Sequence, residues 1–289
     1  KGMLYGKILR SKVAHARILS IDVSKARQLK GVKAVITCED TPLIKYSIHP
    51  LMADKLAFED KKVRHVGDEI AAVAAIDEET AAKAISLIKV ELEELESVFD
   101  PVEAMKAGAP DIHDHVENNI SKHFKMDCGD IEQGFAKSEF IIEKTFTTHA
   151  QSHSSIETHV CVADYNPDHQ VTVWVNTQAP HPLKHRISQV LAIEPEKIRV
   201  IPPYIGGAFG SKIDLDTTHV ACVLLSKKTG RPVKIINTRE EQFAATRMRH
   251  PSITELKFGF NHDGTIVVKQ AKAIIDNGAY NSHGPSVMG

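Results

Sequence analysis

A chain of 289 residues with 42% hydrophobic and 25% charged side chains is long enough for one large or two medium globular domains with a real core. Its 36 basic against 37 acidic side chains leave no net field that would favour nucleic acid or an anionic membrane, so neither partner is expected. No run approaches the roughly 20 apolar residues of a membrane span, and the amino end lacks a signal-peptide layout, which predicts a soluble, cytoplasmic protein. Cys38, Cys128, Cys161 and Cys222 stand far apart with no CxxC spacing. They read as free thiols of a reducing compartment, not as a zinc ribbon or an iron–sulfur cluster. The first residues run straight into a strand and Met288-Gly289 carries no terminating signal, so the chain reads as a fragment of something longer.

In chain order, residues 4–9 and 32–37 are strand-like, and residues 70–76 form a small-residue apolar strand. Residues 78–87 are predicted helical, because Ala81, Ala84, Ile85 and Ile88 recur at helical spacing, and residues 89–95 alternate as a half-buried strand does. Together these make a strand–helix–strand unit. From Asp100 to Asn119 the periodicity fades into acids with Pro101, Gly108 and Pro110, which predicts a linker and two domains, 1–117 and 118–289.

Asp130 is placed to cap a short helix ending at Lys137, followed by strands over 140–147, 160–166 and 171–176. A helix over 182–191 puts Leu183, Ile187, Val190 and Leu191 on one face. A strand over 198–201 then opens into Gly206-Gly207-Ala208-Phe209-Gly210-Ser211-Lys212. A helix is predicted over 214–228, ending on Lys227, Lys228 and Gly230, which would set the glycine loop at a helix N-terminus. A strand over 233–236 follows. Residues 254–260 and 266–275, joined by Asn261-His262-Asp263-Gly264, read as a β-hairpin.

Two strand ends are thus delivered to one place, one ending in Asn176-Thr177-Gln178 and the other in the glycine loop. Glycines there permit positive φ and let backbone N–H groups approach an anion or oxo group, which suggests a cofactor cradle. The loop is neither GxGxxG nor a phosphate loop, so neither a dinucleotide nor a triphosphate follows from it. Gln178 precedes Ala179-Pro180, so its amide should sit at the end of the sheet with a donor and an acceptor to offer; alternatively it is a surface glutamine satisfied by water. The set His149, His153, Glu157 and His159 and the pair His181/His185 invite a metal. The first set lies partly on a strand, which points ligands to both faces, and Glu157 is read as a buried acid lining a pocket. Arg239, Arg247 and Arg249 around Glu240 and Glu241 read as a solvated, salt-bridged surface, with anion binding as the alternative.

Taken together, several stretches resemble the large, molybdopterin-binding subunit of the xanthine oxidase and aldehyde oxidase family, the molybdenum hydroxylases. They are Ala14-His15-Ala16-Arg17-Ile18, Val63-Arg64-His65-Val66-Gly67-Asp68, Gly129-Asp130-Ile131-Glu132, Ile156-Glu157, Thr177-Gln178, the glycine loop, Arg239-Glu240-Glu241 and Arg249-His250-Pro251. The resemblance implies an α+β fold: an α/β-hammerhead domain over 1–117, then an incomplete first molybdopterin-binding domain of mixed sheets and helices over 118–289. It implies a molybdenum–molybdopterin cofactor, alone or as a dinucleotide, with two electrons exchanged with [2Fe–2S] clusters and FAD on an Fe–S subunit and an FAD subunit. Oxygen from water would be added to an aldehyde, an aromatic or an N-heterocycle, or an aryl-CoA would be reduced.

Carried over residue by residue, Gln178 would hydrogen-bond an oxygen ligand of molybdenum. The backbone of Gly207, Ala208, Phe209 and Gly210 would contact the cofactor, and Ile213 and Glu157 would line the substrate pocket. No metal ligand is expected from the protein. The general-base glutamate and the remaining molybdopterin-binding region are expected beyond Gly289, so no catalytic residue is expected in this chain and it should be inactive by itself. Purine oxidases carry an acid after the loop lysine where this chain has Ile213, which disfavours xanthine. Ala75-Ile76-Asp77-Glu78, residues 104–109 and Lys212-Ile213-Asp214-Leu215 look like the nicotinate dehydrogenase and 4-hydroxybenzoyl-CoA reductase branches. The alternative is a non-catalytic scaffold or assembly fragment without cofactor.

Overall fold

The structure, a computed structural model, describes residues 2–47 and 52–287. It divides into two compact units, each discontinuous in sequence: Lys1–Ser97 with Ser152–Arg247, and Val98–Gln151 with Met248–Gly289.

A mixed seven-stranded sheet carries the first unit. Its strands are β1 (Leu4–Arg10), β3 (Val32–Thr37), β5 (Glu69–Ala75), β8 (Val160–Tyr165), β9 (Val171–Val175), β10 (Ile198–Ile201) and β11 (Val233–Ile236), in the spatial order β10-β9-β8-β11-β1-β5-β3. A smaller sheet holds β2 (Ala16–Asp22) between β4 (Lys62–Val63) and β6 (Lys89–Glu94). Strand β5, flanked by β1 and the edge strand β3, is buried along its whole length because both faces are covered, which explains its run of small apolar residues without alternation. Ala72 and Ala74 join the core that holds Val220 and Val223 of α6 (Thr217–Thr229). Ala71 and Val73 join Ala26 of α1 (Ser24–Gln28) and Ala84 of α2 (Glu78–Leu87). Helix α6 is buried nearly all round and so shows no single apolar stripe, and it ends on Gly230 in the left-handed region (φ 62°) after Lys227 and Lys228.

The geometry that matters for function follows from β9, α5 (Pro180–Leu191) and β10. The two strands pair in parallel, Val171 opposite Ile198 through Trp174 opposite Ile201, with α5 as the crossover. Leu183, Ile187, Val190 and Leu191 of α5 enter the core with Val171, Val173 and Ile198, each such burial contributing roughly 1.5–3 kcal/mol before entropy is counted. A parallel pair brings both carboxyl ends to one sheet edge, where sites in such sheets commonly form. Antiparallel pairing of β11 with β8 brings the end of β11 and the segment entering β8 to one end of the sheet, and β8 is likewise antiparallel to β9.

The second unit contains an antiparallel sheet, β13-β12-β7, of β7 (Phe140–Thr148), β12 (Ser252–Phe260) and β13 (Ile266–Ile275). Its hairpin closes as expected: Asn261 N donates to Thr265 O at 3.0 Å, and Gly264 takes φ +88° in the turn. Helix α4 (Ile131–Lys137) packs on β13, with Gly134 close enough to Val268 that a Cβ would lie 2.8 Å from the valine Cβ.

Some expectations are corrected. Helix α2 joins β5 to β6, but these strands belong to different sheets, so the strand–helix–strand unit is a bridge between layers. The stretch 100–119 is partly structured: Asp100 Oδ1 caps α3 (Pro101–Ala104) by accepting from Val102 N and Glu103 N, at 2.7 and 3.0 Å. The compact units are a different division from the sequence domains 1–117 and 118–289, which remain an expectation: the seven-stranded sheet draws strands from both sides of residue 117.

Candidate functional site

The two reversals at the carboxyl ends of β9 and β10 meet. Gln178 N donates to Lys212 O at 2.9 Å, Thr177 Oγ1 donates to the same carbonyl at 3.1 Å, and Gly210 N donates to Gln178 Oε1 at 3.0 Å. Gly207 and Gly210 take φ +91° and +95°, and Phe209 between them is also left-handed at +51°. Conformation therefore demands glycine here. A Cβ on Gly210 would come no closer than 3.6 Å to anything, its nearest neighbour being His153 Nε2. Phe209 has no such freedom, and a strained non-glycine residue costs of order 1 kcal/mol, a feature that clusters at functional sites.

A census of donors defines what the loop can do. Gly206 N is bonded to Glu157 Oε2 at 2.9 Å, Gly210 N to Gln178, and Ser211 N to Ala208 O at 2.9 Å. Among the described residues, the N–H groups of Gly207, Ala208 and Phe209, and that of the buried Lys212, donate to no protein acceptor. Gln178 is exposed and its Oε1 is engaged, so what it still offers is its Nε2 donors. Below the loop, the buried Ser155 hydroxyl also lacks a protein partner, and its Cβ lies 3.7 Å from where a Gly207 Cβ would be. Donors without acceptors at a glycine-lined reversal fit a ligand rich in anionic or oxo oxygens.

Glu157 is half-buried and paired, not a free acid. Its Oε2 lies 2.9 Å from Lys212 Nζ, and the lysine side chain is only 1% exposed against 35% for the glutamate. Burial pushes the carboxyl up, but bonds from Asn176, Lys212 and Gly206 N outweigh it and hold it below the ordinary glutamate value. His153 is pulled below the ordinary histidine value, first by burial and then by the charge of Arg247, which disfavours its cationic form. Ile213, half-buried, follows Lys212 directly.

Helix α7 (Arg239–Ala245) was not foreseen and holds the segment leading to Glu157. Arg239 donates through Nη1 to Ser155 O at 2.9 Å and through Nη2 to Ile156 O at 2.6 Å. Buried Gln242 accepts from His159 N at 2.9 Å, and the His159 ring nitrogens lie 2.9 Å from Gln242 Oε1 and 3.2 Å from Ser211 O. Arg239 is thus a backbone clamp, which replaces the solvated-surface expectation. Arg247 is likewise engaged, at 2.7 Å from Asp214 Oδ2, with Arg186 of α5 at 2.8 Å from Asp214 Oδ1.

Two further expectations change. The glycine loop does not sit at a helix N-terminus: α6 starts at Thr217, and its first turn is closed by Asp216, whose Oδ1 accepts from Thr218 N at 2.7 Å. His159 is buried in the network above, while His181 and His185 are exposed on α5. Among the described residues, no group of three or more His, Cys, Asp or Glu is placed to hold a metal ion.

Comparison with known proteins bears on this geometry. Residues 112–289 match the family described as "Molybdopterin cofactor-binding domain", and residues 1–96 match "Aldehyde oxidase and xanthine dehydrogenase, a/b hammerhead domain". The chain is 38% identical to a probable xanthine dehydrogenase component of Bacillus subtilis, over 99% of this chain and 38% of that protein. It is 37% identical to the nicotinate dehydrogenase large molybdopterin subunit of Eubacterium barkeri, over 99% of this chain and 66% of that protein. In structure it is similar to quinoline 2-oxidoreductase from Pseudomonas putida 86, with a TM-score of 0.87 and 32% identity over 97% of this chain and 36% of the other. The chain therefore spans between about a third and two thirds of these relatives.

Proposed function

Because this chain belongs to the molybdopterin cofactor-binding family of aldehyde oxidase and xanthine dehydrogenase, we propose that it forms the cofactor-cradling part of a molybdenum hydroxylase acting on an aromatic or N-heterocyclic substrate. The observation that carries this reading is the set of acceptor-free donors: three consecutive backbone N–H groups and the Gln178 Nε2 amide, brought together at one sheet edge. Bound there, the molybdenum–pterin group would supply the two-electron redox chemistry. The chain's own residues hold and orient. Gly207, Ala208 and Phe209 present amides, Gln178 presents an amide whose other end is pinned by Gly210 N, and beneath Gly210 burial and Arg247 disfavour a competing cation on His153. Donors fixed before the ligand arrives cost little reorganisation when charge shifts during turnover.

Substrate class and partners belong to the same proposal. The half-buried Ile213 next to the cradle cannot hydrogen-bond a purine edge, which favours a less polar ring, and nicotinate dehydrogenase is among the similar proteins. Electrons would pass between substrate and Fe–S and FAD groups on partner subunits, and the general base would come from the rest of the molybdopterin-binding region. Among the described residues no helix is long and apolar enough to cross a membrane, in keeping with a cytoplasmic complex.

The test is molybdenum and pterin analysis of the complete protein purified with its partners. About one pterin per chain is expected, and its absence overturns the reading in favour of a non-catalytic scaffold. Within such a complex, Gln178→Ala should lower the rate of the reductive half-reaction roughly 100-fold, the scale of losing one preorganised donor, while leaving stability within about 0.5 kcal/mol. Unchanged turnover would remove Gln178 from the site.

A further inference from the structure

One carboxylate oxygen touches both ends of the glycine loop. Glu157 Oε2 accepts from Gly206 N and from Lys212 Nζ, each at 2.9 Å, and these are the first and last residues of Gly-Gly-Ala-Phe-Gly-Ser-Lys. Glu157 N also donates to Gly206 O at 3.3 Å. Gly206 is glycine for this contact and not for its dihedral: a Cβ there would lie 2.7 Å from Glu157 Cβ. The loop is therefore drawn into a closed bow with Glu157 as its string.

Glu157 is itself fixed from both sides. Arg239 holds the carbonyls of Ser155 and Ile156 before it, and Asn176 Nδ2 donates to Thr158 O after it at 2.8 Å. The pair is polarised in its burial: Lys212 is sealed at 1% exposure with Glu157 as its counter-ion, while the glutamate reaches solvent on one side. A sealed ammonium that loses its counter-ion is strongly disfavoured, so the loop's last residue cannot stay seated unless the bracket is intact.

We propose that Glu157 is a positioning residue that brackets the glycine loop, with Lys212 as its buried counter-ion, and so sets the spacing of the free amides of Gly207, Ala208 and Phe209. The assignment takes the place of a substrate contact for Glu157. It rests on the cofactor reading for its purpose, but its geometry stands without it.

The experiment compares Glu157→Gln, Lys212→Met and the double variant in the complete complex, by amide hydrogen exchange over residues 206–212, pterin content, and kcat against KM. Glu157→Gln keeps an acceptor for Gly206 N but leaves Lys212 without a countercharge. It should speed exchange of the Gly206, Gly210 and Ser211 amides roughly tenfold or more and reduce bound pterin. KM of whatever loaded enzyme remains should stay within about twofold. Lys212→Met should be milder, because the carboxylate still holds Gly206 N. The double variant should lie closer to wild type than Glu157→Gln alone, since no sealed charge is then unpartnered. Raised KM with unchanged exchange and pterin content would overturn the bracket in favour of a substrate contact. Strictly additive variants would overturn the pairing. If Glu157→Gln does not accumulate, Lys212→Met decides: exchange faster over 206–212 than over α5 is expected, and equal change in both overturns the proposal. A wild-type complex without pterin would defeat the cofactor reading, while the exchange comparison would still judge the bracket.

Discussion

Two glycine-bearing reversals in the first unit use the same parts to opposite ends. The turn Arg64–Asp68 has a left-handed glycine, Gly67 at φ +112°, a buried acid that accepts backbone N–H groups, and a basic partner. The loop Gly206–Lys212 has the same three: left-handed glycines, Glu157 and Lys212. In the turn all the backbone donors but that of the exposed Val66 are consumed. Arg64 N and His65 N reach Asp68 Oδ2 at 2.6 and 3.3 Å, Gly67 N reaches Ser11 O at 2.9 Å, and His65 Nε2 lies 2.9 Å from Asp68 Oδ1. In the loop, the consecutive amides of Gly207, Ala208 and Phe209 are left over, and that of Lys212 with them. Glycine and charge make a tight reversal in both places. What separates a structural turn from a candidate site is the number of backbone donors that the protein itself does not use.

Glycine replacement gives the largest test of that difference. A Cβ on Gly67 would lie 2.5 Å from Ala244 O, a backbone atom with nowhere to go, at a φ that disfavours any side chain. Gly67→Ala should cost at least about 3 kcal/mol and lower the thermal midpoint of the apo and loaded protein alike. On Gly207 the Cβ would meet Phe209 Cε2 at 3.2 Å, the edge of a ring that is 74% exposed and can swing away. Gly207→Ala should cost only about 1–2 kcal/mol, the strain of φ +91° for alanine, but should lose pterin. Calorimetry and pterin content, run on both variants, separate the two regions. A Gly207→Ala protein with full pterin content would make the loop another structural turn.

That contrast also explains how much could be read in advance. Strands β3, β10, β11 and β13 and helices α2 and α4 were expected with the bounds they have, because periodicity and a cap such as Asp130 are local signals. Convergence of Gln178 with the loop was legible too, since a short helical crossover between β9 and β10 makes them parallel neighbours. The start of α6 was not. Asp214 and Asp216 are equally good caps in sequence, and the choice is tertiary: Asp214 is taken by Arg186 and Arg247, which leaves Asp216 to cap the helix. The roles of Arg239 and Gln242 were also missed, because their partners, the Ser155 and Ile156 carbonyls and His159, are remote in the chain. One local signal was available: Thr238 and Glu241 form a capping box that announces α7.

The start of α6 supplies a third case, closed like the turn, and its predicted effect is of intermediate size. His219 Nδ1 accepts from Asp216 N at 3.0 Å within this buried cap. Burial drives the imidazole down, and the positive field of His159 adds to it, against the pull of Asp216; the result falls from the ordinary 6.5 to about 4. A histidine lowered on folding binds fewer protons than its unfolded counterpart between those two values. Stability should therefore be complete above pH 6.5, decline as pH falls from 6.5 to about 4, and level off below that, by roughly 3 kcal/mol at most. Denaturant unfolding across this range should show the decline. His219→Asn, which keeps an acceptor near the Asp216 amide, should flatten it, and an unchanged slope would assign the decline to other groups.

The smallest effect concerns the two histidines beside the compared reversals. Burial pulls His65 down, but the Asp68 carboxylate and its hydrogen bond more than reverse this and raise it above 6.5. His153 moves the other way, through burial and Arg247. The signs fix opposite pH windows. His65 stabilises the turn fully below its unfolded value and loses that contribution as pH rises through its higher folded value. His153, lowered in the fold, contributes above its unfolded value and loses that contribution as pH falls through its lower folded value. Imidazole nitrogen shifts in histidine-labelled protein should therefore show His65 titrating at higher pH than His153. The closed turn thus favours a cation that its acid needs, while the loop disfavours one beneath it, as a cradle for an oxygen-rich group requires if its selectivity comes from amides. The reverse order of titration would mean that a charged His153 lies against Gly210, and the loop's preference would then be for net charge instead of for directed hydrogen bonds.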